Sequence, residues 1–302
     1  MTRIAFIGLG HMGGGMAANQ AGAQHHVRAF DLSAAALDKA EAAGCHPAAS
    51  AADAVAGAEV VITMLPAGQH VRDVFTEAVI PHTPKGALLI DCSTIDVESA
   101  KAVGAAAAAA GFRFADAPVS GGIMAADAGA LTFMVGCAEA DYAAVQAALQ
   151  PMAKAVIHAG APGAGQAAKI CNNMVLGVSM LGVCEAFALA EKLGLAPDKF
   201  FEIASQSSGQ CWSISTYCPW PDVGPSSPAD RGYEGGFLTA LMLKDLKLAQ
   251  DAAAKSGAST PMGAQAEALY ALFDRLGYGQ KDFSAVVQML RGNLLGQAAL
   301  RA

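Results

Sequence analysis

An α/β chain is predicted, with a doubly wound parallel sheet in the first half, a long helix after it and an all-helical remainder. Three observations carry that prediction. Strand-like apolar runs alternate with helix-compatible stretches up to about residue 158. A turn rich in Gly, Ala and Pro interrupts the pattern at 159–165. From Gln166 onward strand patterns vanish. The 302 residues suit two domains, and the expected boundaries are 1–162 for the sheet domain, 163–192 for the connecting helix and 193–302 for the helical domain.

The first strand-like run, 3–8, leads into Gly8-Leu9-Gly10-His11-Met12-Gly13, and a small-residue helical stretch at 16–20 follows. In such a turn the first glycine permits the tight reversal. The second lets the backbone approach a pyrophosphate, and the third lets helix and strand pack closely. The helix N-terminus then offers unpaired N–H groups and a positive dipole end to phosphates. A Rossmann-type dinucleotide site is therefore expected here. Asp31 ends the second run, at 27–31. A carboxylate at that point accepts hydrogen bonds from ribose hydroxyls and repels a 2′-phosphate. Leu32, Ser33 and Ala34 bring no cation, and strand alternation turns Arg28 away from Asp31. NAD is favoured over NADP.

Further strand-like runs lie at 60–65, 88–92, 112–117, 131–136 and 155–158, separated by Ala-rich helical stretches at 34–43, 51–56 and 99–110. The long helix runs from Gln166 to about Lys192, stopped by Gly194 and Pro197. Its apolar residues cover much of its surface, so both faces are expected to be buried, between domains and in a subunit interface. The segment 174–190 reads as too short, and too broken by Ser179, Glu185 and two glycines, to span a bilayer. An irregular loop rich in Pro, Gly and Ser is expected at 217–236.

Hydrophobic residues make up 54% and charged residues 15%, the balance of a heavily buried or oligomeric globular protein. A net charge of −7 without any Lys/Arg cluster argues against nucleic acid and anionic membranes as partners. No secretory leader is visible, because the short apolar run at the N-terminus is the first strand. A bacterial cytoplasm is expected, or a mitochondrial matrix after loss of a transit peptide. Seven scattered cysteines without a Cys-x-x-Cys pair fit a reducing compartment and core positions. No histidine pair has helical metal-site spacing, so no metal is expected.

Three clusters carry candidate chemistry. Asp116-Ala-Pro-Val-Ser120-Gly121-Gly122 closes the strand at 112–117, at the edge where open α/β sheets bind ligands. Its hydroxyl and unobstructed N–H groups suit a carboxylate. Gly163-Ala-Gly-Gln-Ala-Ala-Lys169-Ile-Cys-Asn172-Asn173 opens the long helix, with Lys169 and Asn173 one turn apart on one face. A Lys in an apolar stretch either snorkels its head to water or, desolvated beside a cationic nicotinamide, is tuned toward a general base. Lys244-Asp245, in an apolar helix expected at 237–249, reads by itself as a surface charge pair.

Together with Leu65-Pro66 and Asp91-Cys-Ser-Thr94, these clusters closely resemble the β-hydroxyacid dehydrogenases, nearly end to end. Gln206-Ser-Ser-Gly209 and the loop from Pro219-Trp-Pro-Asp to Gly-Tyr-Glu-Gly-Gly-Phe237 extend the resemblance, which is strongest to the branch acting on 3-hydroxyisobutyrate. It implies that Lys169 is the catalytic base and that Ser120, Gly121 and Gly122 hold the substrate carboxylate. Asn173 would orient the substrate. Leu65, Pro66 and Thr94 would line the nicotinamide-ribose side, and Lys244 would reach toward the cofactor. The implied activity is NAD-linked oxidation of 3-hydroxyisobutyrate in valine breakdown, by a homodimer or homotetramer. Reduction of tartronate, glyoxylate or succinic semialdehyde is the alternative within the family. A silent NAD-binding regulator is disfavoured because Lys169 and Ser120 are both present.

Overall fold

The apolar run at the N-terminus forms β1 (Arg3–Ile7), buried at every position after Arg3. The structure, a computed structural model, describes residues 1–294; residues 295–302, the end of the expected helical domain, lie outside the described residues. The chain divides into two compact units, one of Met1–Lys169 and one beginning at Ile170.

In the first unit β1 pairs in parallel with β2 (His26–Phe30) and β4 (Val60–Thr63). The sheet continues through β5 (Leu88–Asp91) and β6 (Arg113–Asp116), while β3 (His46–Pro47) extends the other edge beyond β2. The order β3-β2-β1-β4-β5-β6 reverses direction between β1 and β4, which opens the crevice where such sheets bind dinucleotides. Beyond β6, β8 (Leu131–Cys137) runs antiparallel to both β6 and β7 (Val119–Ser120), and β9 (Ala153–Gly160) lies parallel to β8.

Alternation along the strands builds two cores. Ile4, Phe6, Ile62 and Ile90 pack on one face of the sheet with Met16 and Phe133. Ala5, Ile7, Val61 and Leu89 pack on the other with Val71, Phe75 and Phe114. With both faces covered, β4 and β5 are buried at every position, as a central parallel strand requires.

The crossover helices are α1 (Gly13–Gly22), α2 (Ala34–Ala42), α3 (Ala51–Val55), α4 (Gly68–Val74), α5 (Ile80–His82) and α6 (Val97–Ala109). Later come α7 (Gly122–Asp127) and α8 (Tyr142–Leu149). Ser33, Ser50 and Asp96 cap α2, α3 and α6 by accepting from N–H groups of their first turns. The strands β3 and β7 and the helices α4, α5, α7 and α8 are additions to the sequence reading, and strand boundaries differ by one or two residues.

The long helix, α9 (Ala164–Lys192), starts two residues earlier than expected. The division between units falls inside it, so its first turns, through Lys169, belong with the sheet rather than to a separate linker. At 29 residues the whole helix, of which 174–190 is a part, is long and apolar enough to cross a membrane. It is nonetheless a core helix of the second unit, where Met180, Cys184 and Phe187 are buried. Its apolar surface is not all covered, however: Val175 is 65% exposed and Leu189 60%.

The rest of the second unit contains α10 (Pro197–Ala204), α11 (Trp212–Ser215), α12 (Thr239–Ser256), α13 (Pro261–Phe273) and α14 (Val286–Leu290). Tyr270, Phe273 and Phe283 join Phe187 in its core. The irregular segment before α12 is held by Asp282, whose carboxylate accepts from Tyr217 Oη at 2.8 Å, Phe237 N at 2.7 Å and Ser284 Oγ at 2.5 Å.

Candidate active site

The glycine turn between β1 and α1 is built as its spacing predicts. Gly8 has φ +94° and donates to Phe30 O, and a Cβ there would meet Met64 O at 2.3 Å. A Cβ on Gly13 would lie 1.9 Å from Gly8 O, so the third glycine brings helix against strand. Nothing lies within 4 Å of a Cβ built on Gly10, which leaves that stretch of backbone open to a ligand. His11 and Met12 complete the turn into α1.

Asp31 is tied to the turn. Its Oδ2 accepts from Leu9 N at 2.6 Å and its Oδ1 from Ser33 N at 2.8 Å, so the carboxylate is fixed at the mouth of the crevice. Arg28 points elsewhere, pairing with Asp53 at 2.8 Å. Among the described residues no ion pair involves Asp31, and the backbone leaves room at Gly10. These residues fit a dinucleotide with free ribose hydroxyls.

Leu65 and Pro66 follow β4, and Thr94 follows β5. One buried network holds both loops. Asp91 Oδ1 accepts from Thr63 Oγ1 at 2.7 Å and Ser93 Oγ at 2.6 Å, and Ser93 Oγ in turn accepts from Leu65 N at 2.8 Å. Burial pushes the Asp91 carboxyl up to about 6 against the pull of these donors.

Ser120 ends β7, and Gly121 and Gly122 turn into α7 with φ +135° and +72°. A Cβ on Gly121 would meet that of Ala125 at 2.6 Å, so the turn demands glycine. Asp116, expected as part of a ligand-binding cluster, instead faces inward and is fully buried. Its Oδ1 accepts from Gly163 N at 2.6 Å and its Oδ2 from Gln166 N at 2.8 Å, which makes it an N-cap supplied to α9 from another element.

Lys169 lies at the end of the capped first turns of α9, 7% exposed. Among the described residues it is the one cation classed as buried. Asn173 is one turn further along the same helix, in the second unit, with 1% exposure. Its Nδ2 donates to Asp245 Oδ2 at 2.5 Å, while its Oδ1 accepts from Asn172. Lys244 pairs with Asp245 Oδ1 at 3.4 Å. Lys244-Asp245 is therefore no simple surface pair: Lys244 is half-buried, Asp245 is buried, and Asp245 sets the Asn173 amide.

Sequence reasoning missed Gln166, Ser93 and Asp245 as site-supporting residues. Each stands inside a motif but carries no role of its own there, because its burial is invisible until the fold is known.

Residues 3–160 match the family described as the NAD binding domain of 6-phosphogluconate dehydrogenase. Residues 163–290 match the family described as NAD-binding of NADP-dependent 3-hydroxyisobutyrate dehydrogenase. A probable 3-hydroxyisobutyrate dehydrogenase of Mycobacterium tuberculosis is 49% identical over 291 residues, 96% of this chain and 98% of that protein. An NAD-dependent L-serine dehydrogenase of Pseudomonas aeruginosa is 48% identical over 299 residues, 98% of this chain and 100% of that protein. The solved Mycobacterium tuberculosis 3-hydroxyisobutyrate dehydrogenase with L-serine superposes with a TM-score of 0.93 at 48% identity, covering 96% of this chain and 99% of that one. With the glycine turn, the buried lysine and both halves of the chain matched, the protein belongs to the 3-hydroxyisobutyrate dehydrogenase family of NAD-binding oxidoreductases.

Proposed function

We propose that this chain oxidises 3-hydroxyisobutyrate to methylmalonate semialdehyde with NAD in valine breakdown, with Lys169 as general base. The observation that carries the reading is a buried lysine at the end of first helical turns capped from the strand that leads into the Ser120-Gly121-Gly122 turn. Bound NAD supplies the acceptor for the hydride leaving the carbinol carbon. Lys169 Nζ takes the hydroxyl proton as that hydride departs, which stabilises the developing alkoxide. Ser120 Oγ and the N–H groups of Gly121 and Gly122 bind the substrate carboxylate. Asn173, its amide oriented by Asp245, holds the hydroxyl end toward Lys169. Positioning supplies most of the rate in such a design. Asp31, in no ion pair among the described residues, supports NAD over NADP. The exposed Val175 and Leu189 on α9 support association into a homo-oligomer.

L-serine is the second reading, because one relative is named for that activity and one similar structure is described with that molecule. The two substrates share a carboxylate and a β-hydroxyl and differ in methyl against ammonium at the carbon between them. Reduction of nicotinamide, followed by absorbance with 3-hydroxyisobutyrate, L-serine, glycerate and 4-hydroxybutyrate against NAD and NADP, separates these readings. The expected result is the highest kcat/KM for 3-hydroxyisobutyrate with NAD. A higher value for L-serine replaces the substrate assignment, and a preference for NADP refutes the role given to Asp31.

A further inference from the structure

Gln166 is fully buried, three residues before Lys169 on α9, and both ends of its side-chain amide are engaged. Its Oε1 accepts from Ile95 N at 3.0 Å and its Nε2 donates to Ser93 O at 2.7 Å. Those two backbone groups flank Thr94, the residue placed on the nicotinamide-ribose side. The backbone N–H of Gln166 is bound by Asp116, the residue that opens Asp116-Ala-Pro-Val-Ser120-Gly121-Gly122. The seat is also sterically tight. A Cβ on Gly165 would lie 2.3 Å from Met134 O and 2.7 Å from Asp116 O, so the helix start cannot slide on the sheet.

We propose that Gln166 is a positioning residue that fixes the distance between the base Lys169 and the cofactor loop around Thr94, with Asp116 joining the substrate turn to the same frame. The proposal rests on Lys169 being the base. An amide suits the task because one side must accept from an N–H and the other must donate to a carbonyl. Both backbone partners are buried, so losing either hydrogen bond leaves an unsatisfied group and shifts the loop against the helix. Small displacements of a base from its substrate are costly in rate.

Two variants test this. Gln166→Met keeps the length and removes both hydrogen bonds. Its kcat is expected to fall about 100-fold, the order associated with a displacement of about 1 Å. KM for NAD should change little, since the glycine turn and Asp31 are untouched, and the primary deuterium isotope effect on kcat should rise as hydride transfer becomes limiting. Gln166→Glu probes the donor alone. When protonated, the introduced acid reproduces both hydrogen bonds, and when ionised it sets an oxygen against Ser93 O. Its kcat relative to wild type should approach one at low pH and fall as pH rises. The charged groups on the elements packed around it are Asp91 and Asp116 at the strand ends, Asp96 beside its partner Ile95, Lys101 of α6 against the start of α9, and Lys169 on its own helix; the ratio to wild type at each pH removes their own titration. Because the acid form restores the native bonds, this variant also carries the test if Gln166→Met does not fold. Wild-type kcat and isotope effect in the folded variants, or a ratio for Gln166→Glu that is low and flat with pH, overturn the proposal. Undiminished turnover in Lys169→Ala would sink the base assignment instead, whatever the Gln166 variants do.

Discussion

Asp91 and Asp116 stand opposite one another in register at the ends of β5 and β6, both fully buried. Two carboxyl groups side by side in a low-dielectric core cannot both ionise freely. The environments divide the task. Asp116 receives two backbone N–H groups from the start of α9. In Asp91 one oxygen collects the donors, and Oδ2 has no hydrogen-bond partner among the described residues. Burial raises the Asp91 carboxyl to about 6, and the neighbouring Asp116 adds to the rise.

That arrangement makes stability depend on pH. An acid whose pKa is higher folded than unfolded binds more protons in the folded state. Its contribution is whole below about pH 4 and is lost as pH climbs through about 6. Asp91→Asn keeps an acceptor for Thr63 and Ser93 and removes the titration. Between pH 4 and pH 8 the variant should gain about 3 kcal/mol of unfolding free energy relative to wild type. Urea midpoints at pH 5, 6.5 and 8 measure this, and parallel pH profiles for the two proteins would refute it.

Lys169→Ala removes the base while leaving the cap and the Gln166 brace in place. The expected fall in kcat is about 10²- to 10⁴-fold, with KM for NAD little changed. Lys169→Arg should recover little of it, because a guanidinium does not release its proton in this pH range. Steady-state kinetics across pH 6–10 decide the point, and activity in the arginine variant close to wild type would argue for a purely electrostatic role.

The main strands, the glycine turn and the long helix were legible because each leaves a local signal: alternation, Gly spacing, or apolar residues without strand pattern. The two-residue strands β3 and β7 leave none, since pairs such as His46–Pro47 are strands only through their neighbours. Lys169 was legible as a cation in an apolar stretch. Gln166 was not, because a glutamine is as ordinary on a helix surface as in a core. Its function depends on Ser93 and Ile95, more than seventy residues away in sequence. Asp116 was seen as the start of its cluster but carried no role of its own: Ser120 to Gly122 form the turn, while the buried carboxylate accepts from Gly163 and Gln166 N–H groups 47 and 50 residues on.

Asp31 should decide between the two nicotinamide cofactors. Asp31→Ser removes the charge that opposes a 2′-phosphate and the acceptor for ribose hydroxyls, and it loosens Leu9 N. Loss of a hydrogen bond to a charged group costs about 1.5–3 kcal/mol. A fall of about 10- to 100-fold in kcat/KM for NAD is therefore expected, with kcat/KM for NADP rising. Paired assays with both cofactors measure the ratio, and an unchanged ratio would remove Asp31 from cofactor choice.

The three glycines of the turn should separate stability from binding. A Cβ at Gly13 would collide with Gly8 O, a backbone atom that cannot swing aside, so Gly13→Ala must push α1 off β1. Overpacking of this kind costs about 1–3 kcal/mol. Gly10 differs: no atom lies near its would-be Cβ and its φ is not positive, so Gly10→Ala should leave the unfolding transition where it is. The space that methyl enters is the space a pyrophosphate needs, so NAD affinity should fall in Gly10→Ala despite its intact fold. Thermal unfolding with and without NAD reads both effects. Loss of the NAD-induced shift in Tm without a change in the ligand-free Tm is the expected signature of Gly10→Ala. A full NAD shift in that variant would place the pyrophosphate elsewhere.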